Sequence, residues 1–267
     1  MNIISLGAGV QSTTMLLMAA HGEIGPKPDY AIFADTGWEP KVVYQHFEWL
    51  KTEVEQYSIP VLTTSAGCIK TDIERASISQ TRTANMPYYV KNDDGTVGII
   101  PRGCTQEYKI DPLNKKVREL MGYKPKQRMP PGSVTKWMGI STDEIERAKI
   151  SKNKWEILRY PLIEKGMNRL DCLNWMARKG YPEPPKSSCV GCPFHNRDMW
   201  LDIKQNDPDA WNEAIEFEKT LHEHGLRGLK GKLFLHRSCV PLEQVDFQEN
   251  QMTFNDFINE CEGMCGV

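Results

Sequence analysis

Cys189 and Cys192 stand three residues apart in the run CVGCP. Two thiolates at that spacing can chelate one metal ion or two corners of an iron–sulfur cluster. The intervening glycine relieves the turn, and a proline directly after the second cysteine is usual beside cluster ligands. Cys104, Cys239, Cys261 and Cys265 are further donors that folding can bring in. Zinc and iron–sulfur centres use the same thiolates, so the pair alone leaves both open. His195 and His236 neighbour these cysteines and would suit zinc, yet a lone histidine is more often a packing or hydrogen-bonding residue, and neither is counted as a ligand. Cys172 lies in the helical pattern LDCLNWMARKG and belongs to the core. Cys68, in a Ser/Gly turn after a strand, is given no role.

The second chemical feature is the glycine turn in SLGAGVQSTT, between an apolar run and a helical pattern. Amides of such a turn point outward and the following helix contributes partial positive charge, so the place favours an anion. Glycine permits close approach of backbone to phosphate, and Ser12 and Thr13 offer hydroxyl donors. Gly7-x-Gly9-x-x-Ser12 is also close to the dinucleotide fingerprint, with Asp35 then placed for a ribose hydroxyl. That alternative implies NAD or FAD and leaves the cysteines unexplained.

The elements that must hold these groups alternate at short spacing. Residues 2–6 read as a buried strand, 12–20 as a helix, 29–34 as a strand ending at Asp35, and IPVLTT as a third strand. Between 40 and 57, Val43, Phe47, Leu50 and Val54 share one helical face. Such alternation implies a parallel sheet with helices on both faces. Residues 76–103, with a brief strand at VGIIP, are expected to form a loop or hairpin over the site. Asp111-Pro112 is expected to open a helix as N-cap and first-turn proline, with Leu113, Val117 and Leu120 as its stripe. VTKWMGI reads as a strand running into STDEIERAK, where Ser141 and Glu144 have capping-box spacing. The proline-rich YPEPPKSS marks a boundary, giving a nucleotide-binding domain over 1–180 and a cysteine-bearing helical subdomain over 181–267.

The totals set limits on all this. The chain has 267 residues, 40% hydrophobic and 25% charged, with a formal net charge of −2, enough for a real core and with no bulk charge announcing a nucleic-acid partner. No apolar run approaches membrane-spanning length, and the first strand begins almost at Met1, so no membrane association and a cytoplasmic, reducing compartment are expected. The cysteines are therefore read as metal ligands or catalytic thiols before disulfides.

Five segments in order resemble the PP-loop superfamily, specifically its phosphoadenosine phosphosulfate (PAPS) reductase/DndC-like sulfurtransferase group. SLGAGVQSTTMLL resembles the signature SGGxDS(S/T), FADTGWEP the DTG-x-E motif, and RGCTQEYKIDPL the arginine-cysteine segment running into K-x-x-PL. WMGISTDEIER resembles the G-x-R-x-x-E-S-x-x-R stretch, and RYPLIE the P-L segment. Gln11 stands where the signature usually has Asp, and Val10 where reductases often carry Lys, which bears on Mg²⁺ handling and on the phosphates bound.

By position, the resemblance implies that Ser5, Gly7, Gly9, Gln11, Ser12 and Thr13 wrap the phosphates of ATP or another adenine nucleotide. Asp35 and Thr36 would sit beside the nucleotide, Gly139 would approach it, and Arg147 would neutralise phosphate charge. It implies a 4Fe–4S cluster on Cys104, Cys189 and Cys192, for which Cys239 is taken as the fourth ligand; the alternative is zinc. The terminal ECEGMCGV resembles an E-C-G motif whose cysteine is a nucleophile, making Cys261 or Cys265, with Asp35, the candidate catalytic residues. The implied fold is a Rossmann-like α/β sheet of about five strands, within usual sheet sizes, with a small cysteine-bearing helical subdomain. The implied activity is ATP-dependent, Mg²⁺-assisted adenylation followed by sulfur transfer, with a nucleic acid among possible acceptors and a protein such as a cysteine desulfurase as sulfur donor; oligomeric state is left open. Sulfonucleotide reduction, and a nucleotide-binding module stapled by zinc, are the alternatives.

Overall fold

The structure, a computed structural model, describes residues 1–247. Cys261 and Cys265 lie outside the described residues. Five parallel strands form the main sheet in the order β3-β2-β1-β6-β7: β1 (Asn2–Leu6), β2 (Tyr30–Asp35), β3 (Val61–Ser65), β6 (Val134–Met138) and β7 (Glu156–Arg159). The chain is α/β, as the alternation implied. Successive strand residues face opposite layers. Ile4, Leu6, Ala31 and Phe33 pack under α1 (Val10–Ala20), α2 (Lys41–Glu55) and α6 (Arg169–Arg178), where Cys172 and Trp175 are also buried. Ile3 and Ile32 face the other way, onto Leu113 and Val117 of α4 (Asp111–Leu120). The expected stripe of α2 is the buried one, and Phe47 stacks on Phe33 at 4.4 Å between centroids. Each such side chain, buried, contributes about 1.5–3 kcal/mol.

His46, on the same buried face, hydrogen-bonds Thr13 Oγ1 through Nε2 at 3.0 Å, and burial lowers its pKa from 6.5 to about 4. A histidine held neutral in the fold charges more readily once unfolded, so its contribution to stability is complete above about pH 6.5 and is lost as pH falls toward 4. Thermal melts across this range should fall on the acid side. His46→Gln, which keeps a hydrogen-bonding side chain but does not titrate, should make that limb shallower, His195 and His236 being held near 4 by burial as well, and an unchanged limb would show that His46 does not contribute.

A second sheet, antiparallel and in the order β5-β4-β8, joins the hairpin β4 (Tyr89–Lys91) and β5 (Val97–Ile99) to β8 (Lys232–Phe234). It packs with α3 (Ile69–Ser79), α7 (Arg197–Asn206) and α8 (Pro208–His224) around Tyr88, Trp200 and Phe217. A hairpin within 76–103 was expected, but the third strand pairs with β4 from far along the chain (Lys91 with Lys232, Tyr89 with Phe234) and has no local signature. The remaining helix is the single turn α5 (Pro161–Glu164).

Two expected caps are not formed. A π-turn, Gln106–Ile110, runs straight into α4, and Ile110 is already helical at φ −70°, ψ −50°. Asp111 therefore caps nothing, and its Oδ1 accepts from Gln106 Nε2. Ser141 makes no capping bond to the 3-10 turn Thr142–Arg147; its hydroxyl donates to Asp143 Oδ1 at 2.5 Å and accepts from Gln11. At Asp111 the backbone was already helical, and at Ser141 side-chain partners displaced the local motif. Among the described residues no helix is long and apolar enough to cross a membrane.

Candidate functional site

β1 leads to β2 on one side of the sheet and β6 leads to β7 on the other, so the strand order reverses between β1 and β6. In open α/β sheets ligands bind at the carboxyl ends beside such a reversal. Both candidate phosphate segments fall there, 7–12 after β1 and 139–147 after β6.

Ser12 closes the first loop: its Oγ accepts from Gly7 N at 3.2 Å and donates to Gly9 O at 3.4 Å. Ala8 between them is left-handed at φ 58°, a region uncommon for a residue with a side chain. The start of α1 has no side-chain cap and no acid in its first turn, so the partial positive end of the helix keeps its field. Gly139 is needed for close approach, because a Cβ there would stand 2.8 Å from Ser12 Cα and N. Gln11 is buried and bridges the two loops, Nε2 donating to Ser141 Oγ at 3.3 Å and Glu144 Oε2 at 3.5 Å. Glu144 is ion-paired with Arg147, while burial pushes its carboxyl pKa up.

Not every candidate side chain faces the crevice. Thr13 is fully buried with its hydroxyl on His46, and Ser5 lies within β1 between Ile32 and Met138. Asp35 Oδ1 accepts from Gly37 N at 2.8 Å and Tyr44 OH at 2.9 Å, which shapes the turn after β2. Thr36, almost fully buried, turns toward the cysteines, with its Oγ1 3.2 Å from Cys189 Sγ.

Cys104, Cys189 and Cys192 line a single pocket together with Thr36, Arg102 and Lys109. The CVGC turn closes with Cys192 N donating to Cys189 O at 2.9 Å, and Val190 N donates to Trp38 O at 2.8 Å. Gly191 lies flat against the Trp38 indole, where a Cβ would come within 2.2 Å of the ring. His195 braces the same turn, Nε2 lying 2.8 Å from Cys189 O and 3.1 Å from Ser188 Oγ. Ser187 Oγ donates to Gly7 O, fastening this segment to the phosphate loop. Cys239 sits in the turn after β8, with φ 51°, and is not among the residues lining the pocket.

Two residues of the site were not singled out from sequence, although both lie in quoted segments. Glu39, from FADTGWEP, is buried; its Oε1 accepts from Thr36 Oγ1 at 3.1 Å and stands 3.5 Å from Lys109 Nζ, while its Oε2 has no hydrogen-bond partner among the described residues. Lys109, from RGCTQEYKIDPL, has its pKa raised: burial opposes the charge, and the Glu39 carboxylate is the leading group that supports it.

Burial pushes Cys192 to about 12, Cys189 well above its ordinary value and Cys104 upward, so with nothing bound these are neutral thiols. Metal ligation deprotonates thiols, and Arg102 and Lys109 lie where three thiolates would need compensating charge. Among the described residues no three His, Cys, Asp or Glu side chains stand close enough to hold one metal ion. A single zinc draws its thiolate sulfurs to within about 4 Å of each other, given Zn–S bonds of about 2.3 Å. Cys104, Cys189 and Cys192, which line one pocket, are the thiols that a cluster or, once drawn together, a zinc ion could use there.

No protein-family model matches the chain, and no curated protein sequence matches it. A solved structure that is similar is PAPS reductase from Candida auris in a phosphate complex, with a TM-score of 0.42 and 12% identity over 68% of this chain and 74% of that one. A likeness of that depth assigns no residue and no activity to this chain.

Proposed function

We propose that this protein is a PP-loop enzyme that binds ATP at the reversal point of the sheet, adenylates an acceptor and transfers sulfur to it. The observation carrying this reading is the joining of the two sites: the segment that supplies Cys189 and Cys192 is tied to the phosphate loop through Ser187 and Gly7, and to the end of β2 through Thr36. Chemistry at an activated acceptor and chemistry at sulfur would thereby occur side by side.

In this reading amides of the Gly7–Gly9 turn and of the first turn of α1 hold the triphosphate, and Arg147 compensates charge as pyrophosphate leaves. Mg²⁺ would travel with the phosphates, because Gln11 brings no negative charge of its own. An acceptor oxygen attacks the α-phosphorus, pyrophosphate departs, and sulfur then displaces AMP. Cys104, Cys189 and Cys192 would hold a 4Fe–4S cluster, which supplies redox-active iron and sulfide beside the crevice. Lys109 and Arg102 offset its negative charge, and Trp38 and Glu39 fix the turn that presents it. A nucleic acid would serve as acceptor and a cysteine desulfurase as sulfur source.

Reduction of adenylyl sulfate or PAPS is the second reading. The observation that favours it is Gln11, whose amide is engaged with Ser141 and Glu144 where the signature has an acid for metal-assisted ATP cleavage. Anaerobically purified protein should be brown and contain iron and acid-labile sulfide. It should release AMP and pyrophosphate from ATP in the presence of acceptor, whereas release of AMP and sulfite from adenylyl sulfate, with an added dithiol oxidised to its disulfide and no ATP turnover, would transfer the assignment to the second reading. Colourless protein with stoichiometric zinc would end the cluster and leave the nucleotide-binding module stapled by zinc as the better reading.

Gly139→Ala tests the crevice itself. Its new methyl must displace the Ser12 backbone from 2.8 Å, an overpacking that costs about 1–3 kcal/mol of stability. Misalignment costing ATP about 1.4 kcal/mol of binding weakens it about tenfold. Titration calorimetry giving wild-type affinity would place the nucleotide elsewhere.

A further inference from the structure

At the end of the sheet opposite the crevice, two loops enter β6 and β7 side by side. Gly132 N donates to Lys154 O at 3.0 Å, and Val134 N to Trp155 O at 3.1 Å. Tyr123, Met129 and Trp155 form their shared apolar floor. Above that floor Lys124, Lys126 and Arg128 of one loop, and Lys152 and Lys154 of the other, are all exposed. From 115 to 132 the sequence carries six cations against one acid, Glu119, although the whole chain is net −2. Nearby acids are engaged: Glu119 with Lys116 at 2.9 Å, Asp29 with Asn2 N at 2.6 Å, and Glu156 with Lys136.

The first loop is also held in shape. Arg118 Nη2 donates to Lys124 O at 3.1 Å and to Gln127 O. Lys124 N donates to Gln127 Oε1 at 3.0 Å, and Gln127 N to Lys124 O at 3.1 Å. Lys126 at the apex is left-handed, with φ 65°. The bonds around it fix the loop backbone, so the exposed Lys126 side chain starts from a set place at the apex.

We infer that this face binds the phosphate backbone of an RNA with unpaired bases. Five cations on two adjoining loops match a row of phosphates, and the half-buried rings of Tyr123 and Trp155, next in sequence to Lys124 and Lys154, offer aromatic surface on which a base can stack. Short irregular loops are a poor fit to the DNA major groove, which admits a helix or a β-ribbon. The surface lies away from the crevice, so its role does not depend on the nucleotide assignment.

The test is fluorescence anisotropy of the full chain, without nucleotide, on a labelled single-stranded RNA of about 20 nucleotides, long enough to track a basic groove. Five contacts predict a slope of log affinity against log salt of about −3.5, at about 0.7 per phosphate on single strands. The variant K124E/K126E/K152E/K154E should lower affinity at low salt by about 100-fold or more and bring the slope close to −0.7. Its thermal melt and ATP affinity should match the wild type, since all four side chains are exposed and none lies at the crevice. No RNA binding by the wild type, or equal binding by the variant, overturns the inference. So does equal affinity for duplex DNA of the same length, or lysine-dependent binding to phosphatidylserine vesicles in place of RNA.

Discussion

Cys189→Ser is expected to yield colourless protein with less than a tenth of the wild-type iron, and the same is expected of Cys192→Ser. Serine fills nearly the same space, so the fold is retained, but its hydroxyl is a poor ligand for iron that thiolates hold. Cys189 is half-buried with its Sγ 3.2 Å from Thr36 Oγ1, and serine can keep that hydrogen bond. Far-ultraviolet circular dichroism should therefore be unchanged while visible absorption and acid-labile sulfide are lost together. Cys104→Ser should behave alike, since Cys104 lines the same pocket. Cys239→Ser should retain iron, because Cys239 is not among the residues lining that pocket. Retention of iron in the Cys189 and Cys192 variants would remove the cluster from this pocket. Loss of iron in the Cys239 variant would show that the turn after β8 closes onto it.

Lys136→Met is expected to destabilise the protein by about 3–5 kcal/mol, the usual cost of leaving a buried charge without its partner. Lys136 and Glu156 are 5% and 9% exposed and form an ion pair between β6 and β7. Lys136 Nζ also donates to Asn114 Oδ1 of α4 at 2.8 Å, and Glu156 Oε1 accepts from Ser151 Oγ at 2.8 Å. Burial works against the lysine more strongly than Glu156 supports it, and its pKa is lowered. That balance makes the pair a weak source of net stability but a costly one to break. The double variant K136M/E156L should accordingly recover most of the loss, since an apolar pair of similar volume is often neutral or stabilising. Urea unfolding measures both. Equal destabilisation by the single and double variants would mean that packing, not unpaired charge, sets the cost.

The first half of the main sheet was legible because its signals are local. Strands 2–6 and 30–35, the helical face Val43, Phe47, Leu50 and Val54, and the glycine turn after β1 each depend on neighbours within a few residues. The same local reasoning failed at Asp111 and Ser141. Asp111 has the residue type of an N-cap, yet the chain was already helical upstream. Ser141 has capping-box spacing with Glu144, yet Gln11, 130 residues earlier, supplied a partner. A local motif states only what a side chain can do when nothing distant competes for it.

The sequence by itself determined the alternation of strand and helix, the glycine loop and the CVGC turn, because periodicity and turn chemistry are properties of short segments. Only the tertiary structure decided that Thr36 meets Cys189 across 153 residues, that Ser187 fastens to Gly7 across 180, and that β8 completes a sheet begun by β4 and β5. It also decided that Cys104 shares a pocket with Cys189 and Cys192 while Cys239 does not line it, and that Glu39 pairs with Lys109 inside the fold. These pairings follow from which apolar faces cover one another, a sum over many side chains that leaves no mark at any one position in the chain.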